Sequence, residues 1–169
     1  MRRMPFNDGW TVGTKANSFM EMIVGSGSEP ALVTLPHDAM IGTERSPAGR
    51  AATAFFPSGR WEYKKSFELS PDEEGGALFL EFEGVYRDAR VRVNDTLVAH
   101  RPFGYSSFTV QVDHLLRFGE PNEIKVEALA HDDSRWYSGA GIYRSVWLHH
   151  GGTGAPGAGR PPAGHAGDR

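Results

Sequence analysis

The sequence predicts an all-β protein, an antiparallel sandwich of jelly-roll type. Several stretches alternate apolar and polar side chains with a period of two, turn residues punctuate them at short intervals, and helical periodicity is almost absent. About eight short strands spaced in this way need two packed sheets to bury their apolar faces.

Taken in order, the first forty residues hold a short apolar opening, a loop rich in Gly and Ser (Gly25, Ser26, Gly27, Ser28), and the run Ala31–Leu35 closed by Pro36, which reads as the first strand. Residues 41–59 are small and polar, with Pro47, Gly49, Pro57 and Gly59, and form a long loop of the kind that carries function. In the next stretch Trp61, Tyr63, Phe67 and Leu69 fall on one side, and Glu62, Lys64, Ser66 and Glu68 on the other. Lys65 breaks that alternation and needs a snorkelling route or a partner.

A turn over residues 71–76 precedes Leu78, Leu80 and Phe82. Ala89, Val91 and Val93 follow, and Asn94-Asp95 supplies hairpin turn chemistry before Thr96, Leu97 and Val98. Phe108 and Val110, then Ile124, Val126 and Ala128, repeat the alternation, and Ser145–Leu148 is the last strand. Residues 112–118 have room for one helical turn at most. Beyond His150 the chain is Gly, Ala, Pro and Arg with hardly an apolar side chain, so residues 150–169 are expected to be a disordered tail, either a linker or a non-native reading-frame tail, after one domain spanning 1–149.

Composition excludes several function classes. With 39% apolar and 23% charged residues the chain reads as globular, and a net charge of -3 with both signs scattered gives no footprint for nucleic acid or an anionic membrane. There is no cysteine, and the seven histidines lack zinc-ligand spacing, so no metal or cofactor is expected. No apolar run follows Arg2 and Arg3 where a secretion signal needs one, and no stretch nears the roughly 18 apolar residues of a membrane span. The expected location is cytoplasmic.

Four blocks carry a resemblance: Leu35-Pro36-His37-Asp38; residues 59–67 (GRWEYKKSF); residues 82–89 (FEGVYRDA) with Val93 and Asn94; and, most specific, residues 134–147 (SRWYSGAGIYRSVW). In this order they resemble the N-terminal sugar-binding domain of glycoside hydrolase family 2, of the β-galactosidase type, over roughly residues 5–149. The resemblance implies a galactose-binding-like jelly roll followed, in a longer enzyme, by an immunoglobulin-like domain and a TIM barrel holding two catalytic glutamates. A barrel takes about 250 residues, more than this chain has, so no catalytic residue is expected here. The implied partners are a β-galactoside-like carbohydrate and the remaining domains. A free carbohydrate-binding module is the alternative reading.

The resemblance also implies substrate contacts. An Asp of this segment reaches the sugar pocket in similar β-galactosidases; anchoring on Trp136 puts Ser134 at that position with Asp133 adjacent, and Asp133 is the candidate. Arg135 and Trp136 beside Gly139 and Gly141 place a cation and an aromatic ring on a loop, a combination suited to sugar hydroxyls and ring faces, or else Trp136 and Tyr143 pack under the loop while Arg135 and Arg144 pair with acids. A second family contact, an Asn of the long loop, is replaced near Thr53. His37-Asp38 is either a capped turn or a polar pair near the barrel. Glu81 and Glu83 read as an outward strand face rather than a catalytic pair, and Asn122-Glu123 as a turn entering a strand.

Overall fold

The computed structural model describes residues 2–15, 29–47, 49, 51–56, 59–130 and 137–151. Ten strands form two antiparallel sheets: β1 (Arg2–Pro5), β2 (Trp10–Thr14), β3 (Ala31–Val33), β4 (Gly59–Glu68), β5 (Ala77–Phe82), β6 (Ala89–Val93), β7 (Thr96–Arg101), β8 (Phe108–Gln111), β9 (Pro121–Ala130) and β10 (Val146–Gly151). One sheet has the order β1-β10-β5-β8 and the other β3-β2-β4-β9-β6-β7. The all-β sandwich read from the sequence is therefore the fold. Two of its strands, β1 and β2, go beyond the eight expected. The first expected strand is shorter, because Leu35 donates its N–H to the Asn7 carbonyl (3.0 Å) and leaves the ladder. The last strand reaches Gly151, which pairs with Ala77. Residues 152–169, the expected tail, lie outside the described residues.

The core sits where the inward faces meet. Tyr63, Val126 and Val91 lie in register across β4, β9 and β6, and all three are buried. From the other sheet come Leu78, Leu80, Phe82, Val146 and Leu148, also buried. Phe82 stacks on Phe108 with centroids 5.1 Å apart, which bridges β5 and β8 within that sheet. Period-two alternation is the cause: each inward side chain is apolar, and burying it stabilises by about 25 cal/mol per Å² removed from water.

Lys65 takes both routes open to it. Its ammonium reaches the Asp8 carbonyl and lies 4.4 Å from the centroid of the Phe6 ring, while burial lowers its pKa against the pull of Asp8. Asn94 and Asp95 adopt φ of 45° and 64°, the geometry of a two-residue hairpin turn, between β6 and β7. Asn122, 1% exposed, locks the start of β9: its amide donates to the carbonyls of Arg117 (2.8 Å) and Glu120 (3.1 Å) and accepts from Arg117 N–H (2.8 Å) and the Asn94 amide (2.8 Å). The sequence reads Asn122-Glu123 as a turn entering a strand; both residues already lie in β9, paired with Phe67 and Ser66, because the turn is complete by Glu120.

Candidate functional site

Asp133, Arg135 and Trp136 lie outside the described residues, as does Ser134. What is described is the frame on either side of them: β9, which ends at Ala130, and the chain from Tyr137 onward. That frame belongs to one end of the sandwich, where residues 37–40, 53–56, 86–88, 102–105 and 137–143 are joined.

Asp38 holds the frame together. Its Oδ1 accepts the Met40 N–H (2.9 Å), which caps its own turn, and the Ala140 N–H (3.3 Å). Its Oδ2 accepts the Tyr137 hydroxyl at 2.5 Å. Backbone bonds run parallel to these, from His37 N–H to the Ile142 carbonyl and from Ala39 N–H to the Ala140 carbonyl, both 2.8 Å. The capped turn expected at His37-Asp38 is present, and it is also a clamp on the segment after residue 136, which no local pattern reveals.

Two glycines make the close approach possible. Gly139 has φ +71°, and a Cβ there would stand 2.6 Å from Asp38 Oδ2. Gly141 has φ +136°, and its Cβ would overlap the Tyr63 hydroxyl and come within 2.8 Å of the His37 carbonyl. Tyr63, fully buried on β4, places that hydroxyl 2.9 Å from His37 Nδ1.

Burial, with the Asp38 charge acting in the same direction, pushes the Tyr63 hydroxyl well above the ordinary tyrosine range. Tyr137 moves the same way, through burial and then its bond to Asp38. Both therefore remain hydroxyl donors at neutral pH. Burial lowers the His37 imidazole below its usual value, and Asp38 only partly offsets this, so the ring is neutral there. The arrangement positions loops.

The remaining loops lean on this clamp. Tyr137 packs on Phe56 with centroids 5.3 Å apart, and the Thr53 hydroxyl, in a residue 4% exposed, donates to the Phe56 carbonyl at 2.8 Å. Thr53 thus holds its own loop. Tyr86 exchanges backbone bonds with Gly141 (2.9 and 2.7 Å), and the Tyr143 hydroxyl donates to the Gly104 carbonyl at 2.8 Å.

Glu81 and Glu83 lie on an outward strand face, as expected, but they are bonded rather than freely solvated. Arg3 donates to both, at 3.1 and 3.0 Å, His149 Nε2 lies 2.7 Å from Glu81, and the Trp147 indole donates to Glu83 at 2.9 Å. This network ties β1 to β10 and β5. His149 and His150 point to different partners, Glu81 and Glu73, and among the described residues no three metal-ligating side chains converge.

Fold and frame define a galactose-binding-like module of the kind found in glycoside hydrolases. The family model "Glycosyl hydrolase 2 galactose-binding domain-like" matches residues 37–136, more than half the chain, and the chain belongs to that family. Beta-galactosidase BoGH2A of Bacteroides ovatus is 37% identical over 122 residues, which are 69% of this chain and 14% of that one. A beta-glucuronidase of Bacteroides fragilis is 30% identical over 125 residues, 69% of this chain and 17% of its own. Among solved structures, a glycosyl hydrolase family 2 member from Bacteroides cellulosilyticus superposes with a TM-score of 0.75 at 30% identity, covering 90% of this chain and 21% of that one. The chain thus spans about a seventh of the curated relatives it matches and corresponds to a non-catalytic module of such enzymes.

Proposed function

We propose that this module serves a family 2 glycoside hydrolase that removes terminal β-glycosides of the β-galactoside class, with the catalytic barrel supplied by the rest of a longer polypeptide. Its task is to present residues 133–136 to the sugar pocket, with Asp133 accepting from a hydroxyl and Arg135 and Trp136 flanking the ring. The observation that carries this reading is the clamp: Asp38, Gly139 and Gly141 hold the chain rigidly from Tyr137 onward, directly after those residues. Preorganised loops on a β scaffold lower the cost of ordering a binding group.

The test is a chimera in which this chain replaces the matching stretch of the Bacteroides ovatus beta-galactosidase. Hydrolysis of an aryl β-galactoside is expected, with Asp133→Ala raising KM several-fold more than it lowers kcat. A KM untouched by Asp133→Ala and by Trp136→Ala would remove the sugar-contact role. Calorimetric titration of the 169-residue chain with galactosides checks the rival reading, a free carbohydrate-binding module, which millimolar or tighter binding would favour.

A further inference from the structure

Next to the clamp, the loop between β7 and β8 carries two aromatic rings turned into solvent. Phe103 is 65% exposed and Tyr105 60%, the two most exposed aromatic rings among the described residues. They are held out firmly. Gly104 between them is buried against the Tyr86 ring, which a Cβ there would overlap, and its carbonyl takes the Tyr143 hydroxyl. Tyr105 packs on Tyr86 with centroids 5.2 Å apart, and the Pro102 carbonyl accepts the Asp88 N–H at 3.3 Å. The loop therefore cannot collapse to hide its rings, and any partner finds them already ordered.

We propose that Phe103 and Tyr105 are the anchors by which this module docks onto another domain of the longer glycoside hydrolase polypeptide. The inference rests on the function proposed above and names the surface that joins the two parts. Three features favour a protein face over a saccharide. The two rings are inclined at 68° with centroids 5.6 Å apart, so they fill a pocket and offer no single flat platform. Arg87 lies with its guanidinium 5.7 Å from the centroid of Tyr86, the ring on which Tyr105 packs, and arginine next to aromatic side chains is a combination enriched at protein hot spots. The loop is also continuous with the clamped segment through the Tyr86–Gly141 bridge and the Tyr143 bond, so a domain that meets residues 141–143 lies beside this loop as well. The solved relatives carry about four to six times as much chain as this module, so polypeptide able to cover the loop accompanies it in each of them. The partner face fitted to this loop is an apolar pocket for two rings.

Hydroxyl-radical footprinting of Phe103 and Tyr105, in the 169-residue chain and in the Bacteroides ovatus chimera, tests the proposal. Oxidation of both rings is expected to fall several-fold in the chimera. Phe103→Ser with Tyr105→Ser is expected to lower the chimera's melting transition and its kcat/KM, and to lower the chimera's melting by more than that of the isolated chain, whereas Tyr105→Phe, which keeps the ring, is expected to leave both near the parent chimera's values. An active chimera whose rings stay as reactive as in the isolated chain overturns docking, as does a chimera melting in two transitions with reactive rings. Protection of the isolated chain by lactose, or by its own concentration with dimer formation, overturns it in favour of a sugar platform or a second copy. Protected rings in a chimera indifferent to Asp133→Ala support docking and sink only the sugar-contact reading.

Discussion

Phe82 belongs to the apolar core cluster, and its ring is fully buried and stacked on Phe108. Around Asp38 the contacts are hydrogen bonds, and one of them joins residues 99 apart in sequence. Both regions are held by long-range contacts, but by different physics. Apolar burial is non-directional, so the sandwich body tolerates side chains of about the right size and shape. Hydrogen bonds to a carboxylate are directional and hold the groups they join at short, defined distances. The body therefore supplies stability, and the loop end converts it into placement.

Substitutions can separate the two. Phe82→Ala should be the most damaging, about 3–5 kcal/mol, because it opens a cavity in the body. Chemical denaturation should show the whole domain shifting, with hydrogen exchange quickening in every strand. Asp38→Ala should cost less, about 2–3 kcal/mol, since it strips three donors of a charged acceptor. Its exchange signature should be confined to residues 35–40 and 137–142. If Asp38→Ala lowers protection uniformly, the loop end and the body are one cooperative unit and the distinction fails.

Tyr137→Phe sharpens the same contrast, because it deletes a single bond to Asp38 and keeps the packing on Phe56. A loss of about 1–2 kcal/mol, read at residues 137–140 by exchange, is expected.

The division also explains which parts were legible in the sequence. Strands of the body announce themselves because burial on one face imposes the period of two, as at Trp61 and Tyr63 or Val91 and Val93. The hairpin at Asn94-Asp95 was legible because its turn needs positive φ. β1 carried no such signal: its four residues are mostly exposed, and what recruits them is the free edge of β10. Leu35 looked like strand because it is apolar and buried, though its N–H bonds to Asn7. At the loop end, His37-Asp38 and Gly139 to Gly141 stood out as motifs, but nothing periodic links Asp38 to a tyrosine a hundred residues on. Such a clamp has no local signature, because neither half has a partner until the sandwich has closed.

The smallest effect, and the cleanest separation of the two regions, comes from pH. In the loop end, burial holds the His37 imidazole below its ordinary value of 6.5. The unfolded chain therefore binds this proton first, so the His37 contribution is complete above about pH 6.5 and declines as pH falls below it. In the body, burial opposes ionisation of Glu127, but Lys15 at 2.6 Å and Arg60 at 3.0 Å outweigh it and hold the carboxyl below its ordinary value of 4.5. That contribution is complete above about pH 4.5 and is lost only in more acidic solution. Acidification should therefore loosen the loop end first, read as falling protection factors at residues 137–142 between pH 6.5 and 5 while the strands hold. His37→Gln should remove this early step, and Glu127→Gln should flatten only the later one. A single acid transition common to both regions, unchanged by His37→Gln, would mean that the clamp and the core open together.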